Sequence, residues 1–171
     1  MNLIFDIETD GFVNACTKVH CIGIHDLDNK ETYVFNDEGD QEPITRGVQM
    51  LMDATNIIGH NIINFDCAVL RKLYAWFKVP NQLDTLLLSR LYHPDILNLD
   101  HRKKWKNMPL QLYGRHSLES YGYRLGEYKG EFGKTADWNV WSQELQDYMV
   151  QDVNVTTKLW KHFQPYLSGS R

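Results

Sequence analysis

Near the start of the chain, Leu3-Ile4-Phe5-Asp6-Ile7-Glu8 sets two carboxylates two residues apart in a β-branched and aromatic run that ends at Thr9-Asp10-Gly11. Such a run reads as a strand. Side chains alternate along a strand, so Ile4, Asp6 and Glu8 share one face and Leu3, Phe5 and Ile7 the other. Both faces are apolar before Asp6, which marks a central strand. Two acids side by side there repel each other unless a cation or water compensates. The plainer alternative is a strand that has emerged into solvent by Asp6, since buried unpaired acids are scarce. Two further acids bear on the choice. Asp66 closes Asn61-Ile62-Ile63-Asn64-Phe65-Asp66 at the start of an amphipathic stretch. Alone it reads as a first-turn acid favoured by the helix dipole. Tyr148 and Asp152 are spaced i, i+4 and share a face, with Met149 and Val153 beside them turned to the core.

The elements that must position these groups follow from periodicity. Val19–Leu27 and Glu31–Phe35 read as further strands joined by the short turn Asp28-Asn29-Lys30, a predicted antiparallel hairpin. Ile44, Val48, Leu51 and Met52 have helical spacing behind Pro43. Asn56-Ile57-Ile58-Gly59 reads as a short buried strand. Phe65–Phe77 reads as a helix with Phe65, Val69, Leu70, Leu73, Trp76 and Phe77 on one face, closed by Val79-Pro80. Asp84-Thr85 caps a helix running to His93-Pro94. Residues 95–114 read as irregular, and Ser117–Leu125 as a helix stopped by Gly126. The last helix spans Gln143–Phe163, with Leu145, Met149, Val153, Thr156 and Leu159 inward. The order βββαβα followed by helices implies an α/β mixed sheet with its three antiparallel strands first and the later strand beside the first. Ligands of open α/β sheets sit at the carboxyl ends of strands, where Asp6 and Glu8 lie.

In order and spacing, Asp6-x-Glu8, Asn61-x-x-x-Phe65-Asp66 and Tyr148-x-x-x-Asp152 resemble the three motifs of the DEDD (DnaQ-like) 3′–5′ exonucleases. The tyrosine four before the last aspartate resembles the DEDDy branch. Residues 84–95, 116–132 and 147–156 are similar to the exonuclease domain of short-tailed bacteriophage family A DNA polymerases, and the resemblance covers nearly the whole chain. It implies a ribonuclease H-like fold, with residues 1–164 as the exonuclease domain and 165–171 as a tail. The closing Ser168-Gly169-Ser170-Arg171 has the composition of an artificial extension and is set aside. No polymerase fingers, palm or thumb follow, which fits either a separate exonuclease or an excised domain.

The resemblance also implies a chemistry. Four hard oxygen ligands suit Mg²⁺ or Mn²⁺ rather than zinc. Two such ions, roughly 3.5–4 Å apart, hold the attacking and leaving oxygens of an in-line displacement. One ion would bind Asp6, Glu8 and Asp152; the other would bind Asp6 and be steadied through water by Asp66. Tyr148, a poor base at a free pKa near 10, would orient the attacking water. Thr9, Phe12, Asn61 and Phe65 are the implied nucleic-acid contacts. Phe12 would stack on the terminal base, or else cap the core. Asn61 would bond the scissile-end nucleotide, or only cap the turn. The expected activity is release of nucleoside 5′-monophosphates from 3′ ends of single-stranded or frayed DNA. An RNA-trimming exonuclease and a non-catalytic module beside a polymerase are the alternatives. Expected partners are a DNA 3′ end and a DNA polymerase domain or subunit.

Composition bounds these readings. The chain has 171 residues, 43% apolar and 23% charged, enough for one domain with its own core. A net charge of -4 argues against an architectural nucleic-acid binder but not against an enzyme that meets phosphates through metal ions. The basic run Arg102-Lys103-Lys104-Trp105-Lys106 is either a strand-tracking patch or, more commonly for such runs, a solvated loop. Three cysteines, Cys16, Cys21 and Cys67, form no CxxC pair, which suits a reducing compartment, and no apolar run spans a bilayer. Together these point to the cytoplasm, that of a bacterial host if the chain is phage-encoded. None of the seven histidines has a neighbour at metal-ligand spacing.

Overall fold

The computed structural model describes residues 1–38, 41–128 and 137–171. The last part of the 116–132 similarity, residues 129–132, lies outside them. Five strands, β1 (Asn2–Thr9), β2 (Val19–Asp26), β3 (Glu31–Phe35), β4 (Asn56–Gly59) and β5 (Asn81–Asp84), form one sheet. Their order is β3-β2-β1-β4-β5. β1 runs antiparallel to β2 and parallel to β4; β2–β3 is antiparallel and β4–β5 parallel. The mixed sheet, with its antiparallel strands at one edge and β4 beside β1, is the one the element order implies. The described helices are α1 (Ile44–Met52), α2 (Cys67–Leu73), α3 (Thr85–Tyr92), α4 (Ile96–Lys103), α5 (Leu118–Leu125) and α6 (Gln143–Leu167). No helix among the described residues is long and apolar enough to cross a membrane.

Alternation along β1 sends the two faces to different partners. Leu3, Phe5 and Ile7 pack with Ile22, Ile57, Val48 of α1 and Val69 of α2. Ile4, Cys21 and Ile58 pack with Met149 and Val153 of α6. The outer side of α6 buries Val155, Leu159 and Phe163 against Ile96, Leu118 and Tyr121. Two glycines permit the close approaches that assemble the acidic end of β1. Gly23 stands opposite Asp6, and a Cβ there would overlap the sulfur of Met149 and lie 3.0 Å from Val153. Its absence lets α6 rest on β2 with Asp152 over β1. A Cβ at Gly59 would run into Ile62 and lie 3.0 Å from the Phe5 carbonyl oxygen, so the chain leaving β4 can turn tightly toward β1. The β1–β2 register shifts at the acidic end: Glu8 pairs with Cys21 but Thr9 with Val19, leaving His20 as the extra residue of a bulge.

Several elements depart from periodicity. The predicted Phe65–Phe77 helix is shorter: a π-helical turn over Ile62–Asp66 feeds α2, which ends at Leu73 because Tyr74 turns extended. Trp76 is consequently exposed, while Phe77 is buried. Asn81–Asp84 is a strand, too short and polar to register as one. Residues 95–114 contain α4 and a 3₁₀ turn over Leu110–Leu112. The buried acid Asp100 breaks the apolar pattern of α4 and so hides the helix. α6 continues through Pro165 to Leu167, where Tyr166 packs beside Tyr92 and Phe163.

Candidate active site

Asp6 and Glu8 reach the same face of β1 near its carboxyl end, and Asp152 descends on them from α6. One carboxylate oxygen from each of the three lies within 4.8 Å of the other two. A cleft of about 260 Å³ opens over them, and Asn61, Phe65, Asp66 and Tyr148 also line it. The structure therefore brings all five motif residues to one cleft, although Asp66 stands outside the three-carboxylate cluster.

Asp66 is not a helix cap. Its side chain accepts no N–H from α2. It is buried, and Oδ2 accepts the Ile7 N–H of β1 at 3.2 Å. Burial pushes its carboxyl well above the usual range, the Ile7 N–H opposes that only in part, and the Asp84 and Asp152 charges add to the push. Asp84 is the clamp that presents this segment. It caps α3 through Leu86 N (2.9 Å), and also accepts Asn61 N (2.8 Å) and Ile63 N (3.1 Å). Asn61 is held in the left-handed region, φ 63°, a conformation asparagine tolerates better than most residues. Sequence reading assigned Asp84 only the cap of α3.

The cleft offers hard ligands. Cys21 is a soft donor paired with Glu8 in the sheet, but burial pushes its thiol up and the Glu8 and Asp6 charges push it further. Burial likewise lifts Cys67 to about 12, with the Asp66 charge adding. Neither thiol is a ready thiolate, so the donor set facing the cleft is carboxylate oxygen, the set that fits Mg²⁺ or Mn²⁺. His60 also lines the cleft, but Nε2 lies 2.8 Å from the His116 carbonyl oxygen and Nδ1 2.8 Å from Thr85 Oγ1. Both ring nitrogens are engaged in the scaffold.

A second cleft of about 460 Å³ adjoins the first, sharing Glu8, Phe65 and Trp138 with it and adding Thr9 and Phe12. Phe12 is 83% exposed, so it does not cap the core. Its loop is nonetheless pinned. Thr9 Oγ1 donates to Gly11 O (2.6 Å) and accepts Gly11 N–H, which commits the Thr9 hydroxyl to the turn. Asp10 takes hydrogen bonds from the Thr17 hydroxyl and N–H and from Lys18 N–H; burial works against its charge, but these bonds outweigh it and hold the carboxyl at about 2. Lys72 Nζ ties the loop to α2 through Val13 O (2.7 Å) and Cys16 O (2.9 Å). The result is a large aromatic face held in water on a fixed loop. In the basic run, Arg102, Lys103, Lys104 and Lys106 are exposed, but Trp105 gives its indole N–H to Asp100 (2.8 Å).

Motif spacing does not single out Trp138, although it borders both clefts and meets Tyr148 edge-on, with ring centroids 6.2 Å apart. The available signal was an aromatic residue in a polar segment ten residues before Tyr148.

The family model described as RNase_H superfamily matches residues 3–164. Among curated proteins, the DNA-directed DNA polymerases of Enterobacteria phage T3 and Escherichia phage T7 are each 31% identical over 95% of this chain. The chain spans 27% of the length of either. Among solved structures, Brucella melitensis NrnC has the same fold, with a TM-score of 0.66 at 19% identity over 98% of this chain and 75% of its own. NrnC has also been solved with bound Mg²⁺ and bound to pGG. The chain belongs to the RNase_H superfamily, with the motif order and the sheet of a DnaQ-like exonuclease domain.

Proposed function

We propose that the protein is a divalent-metal-dependent 3′–5′ exonuclease that removes nucleoside 5′-monophosphates from single-stranded or frayed DNA ends, in proofreading or trimming during phage-type replication in a host cytoplasm. The observation that carries this reading is the convergence of Asp6, Glu8 and Asp152 within 4.8 Å, with Tyr148 lining the same cleft one helical turn before Asp152. Asp6, Glu8 and Asp152 would hold the ions, and Asp66 would steady one of them through water. When bound, the ions acidify a water and stabilise the leaving 3′ oxygen.

The chain's own groups do the rest. Tyr148 hydrogen-bonds the water and aims it at the terminal phosphorus. The P–O3′ bond breaks, the shortened strand keeps a 3′-hydroxyl, and the phosphate leaves with the terminal nucleoside. Phe12, exposed on its pinned loop, offers a stacking face to the terminal base without reading its identity. Phe65 borders both the Phe12 cleft and the carboxylate cleft, and Asn61 lines the second. The T3 and T7 relatives and the pGG-bound NrnC structure support an oligonucleotide substrate, and the Mg²⁺-bound NrnC structure supports the metal. A polymerase body, in the same chain or as a separate subunit, is the natural partner.

The test is digestion of 5′-labelled single strands, DNA and RNA in parallel, with Mg²⁺, Mn²⁺ or EDTA. The expected result is a ladder of shortening DNA with metal and none in EDTA. Cleavage in EDTA, or immediate release of the label as a mononucleotide, overturns the reading. Faster digestion of RNA replaces the substrate class and leaves the chemistry.

A further inference from the structure

Trp138 has no place in the three motifs, yet two contacts hold it where it borders both clefts. The β1–β2 bulge sets His20 apart from the regular ladder, and the buried His20 Nε2 lies 2.8 Å from the Trp138 carbonyl oxygen. A carbonyl only accepts, so Nε2–H is the donor and the segment entering α6 is tied to β2 beside Glu8. The Trp138 indole meets the Tyr148 ring at an interplanar angle of 74°, the edge-to-face geometry that aromatic quadrupoles favour. The same indole borders the carboxylate cleft and the cleft around Phe12.

We propose that Trp138 is a positioning residue for the exonuclease reaction, holding the Tyr148 phenol in the orientation that aims the attacking water, with His20 as the tether that holds Trp138. The proposal rests on the exonuclease reading. Tyr148 projects from α6 into an open cleft, and the pitch of the helix fixes where its Cβ stands but not the plane of its ring. The edge contact with the indole is one constraint on that plane. The bulge has a use on this reading: a regular β2 would keep His20 in the ladder, whereas the extra residue turns its side chain to the incoming segment.

The experiment is a double-mutant cycle. kcat and KM on a 5′-labelled single strand with Mg²⁺ are measured for the parent, Trp138→Ala, Trp138→Phe, Tyr148→Phe and the Trp138→Ala/Tyr148→Phe double variant. Trp138→Ala should lower kcat on the order of 10–10²-fold, a fraction of what a well-placed proton-handling group contributes. Trp138→Phe, which keeps an aromatic edge, should recover most of it. In the Tyr148→Phe background the same alanine substitution should cost about 3-fold or less, because the group it acts through has already lost its hydroxyl. His20→Leu should reproduce the kcat loss, and His20→Gln, which retains an N–H donor, should restore it. Thermal melts of each variant separate lost folding from lost positioning, and the Trp138 cycle decides the matter if His20→Leu does not fold. Equal losses in both backgrounds, or an unimpaired Trp138→Ala, overturn this proposal alone. A parent that leaves the strand intact overturns the exonuclease reading and this proposal with it.

Discussion

Two aspartates are buried in this molecule under opposite conditions. Asp100 on α4 accepts four hydrogen bonds: from Trp105 Nε1 (2.8 Å), Gly114 N (2.9 Å), Arg124 Nε (2.9 Å) and Arg124 Nη2 (2.7 Å). Burial opposes its charge, but Arg124, Gly114 and Trp105 outweigh it and hold the carboxyl below the usual range. Arg124 is buried in turn, with its guanidinium 4.8 Å from the Tyr121 ring centroid. Asp66 accepts the Ile7 N–H and its own backbone N–H, has Asp84 and Asp152 for charged neighbours, and is pushed up. The fold can evidently satisfy a buried acid completely. It does so for Asp100 and leaves Asp66 among like charges, an environment that either a proton or, on the proposed reading, a cation would relieve. The first joins α4 to α5; the second lines the carboxylate cleft.

The comparison is tested hardest at the cluster itself. On the proposed reading Asp6→Ala and Asp152→Ala each remove a metal ligand, and turnover of single-stranded DNA should fall on the order of 10³-fold or more, the scale seen when preorganised charge is deleted from an active site. Melting in EDTA should hold or rise, since each substitution relieves repulsion. A variant that retains a tenth of parent activity would remove its residue from the metal site.

The two buried acids should then separate under the same substitution. Asp100→Asn leaves Arg124 buried beside a neutral amide and should lower stability by about 3–5 kcal/mol, read from denaturant unfolding. Asp66→Asn should leave the metal-free protein as stable or more stable while sharply lowering activity. Millimolar Mg²⁺ should raise the melting temperature of the parent more than that of Asp66→Asn, because ions that bind only the native state stabilise it. Large destabilisation of Asp66→Asn in EDTA would make Asp66 structural after all, and would erase the contrast. Smaller still is Tyr148→Phe, on the order of 10–10²-fold in kcat, since it disturbs only the water's orientation. A loss equal to that of Asp6→Ala would give the phenol a chemical role beyond orientation.

These contrasts also show what was legible in the sequence. The convergence of Asp6, Glu8, Asp66, Tyr148 and Asp152 on one cleft was readable because their spacing sets each in a fixed relation to a strand end or a helix turn. The sheet was readable because β1 and β2 are apolar and β4 is bounded by turns. What was hidden depends on partners distant in the chain. Asp100 and Arg124 are 24 residues apart, and neither announces that the other cancels its charge, so α4 read as irregular. Asp84 clamps Asn61 and Ile63 across a strand pairing that its short, polar strand does not advertise. His20 meets Trp138 only because of a bulge that no local pattern encodes. His93 and His162, which show no ligand-like spacing, come together because α3 ends against the far turn of α6.

That last pair supplies the smallest expected effect and a control for the others. His93 Nε2 and His162 Nε2 are 2.8 Å apart, so one donates and the other accepts, and the contact holds only while at least one ring is neutral. Burial lowers both, the His162 ring lowers His93 further, to about 4, and the Arg171 charge adds to the lowering of His162. Asp95 opposes the shift at His93 and Arg124 and Arg171 reinforce it. Phe163 and Tyr166 pack against both rings. An unfolded histidine titrates near 6.5. Because the folded values lie below it, the unfolded chain binds protons first as the pH falls. The pair's contribution to stability is therefore complete above about 6.5 and is lost as the pH drops through about 4. His162→Asn keeps an N–H donor for His93 and removes one titration. Its melting temperature should fall less steeply than the parent's between pH 7 and 4, measured in EDTA to keep metal binding out of the comparison. Turnover near neutral pH should be unchanged, since ten residues of helix, about 15 Å, separate His162 from Asp152. Parallel melting curves would mean that His162 takes up its proton at the same pH in the folded and the unfolded chain, and would remove the pair as a source of acid lability.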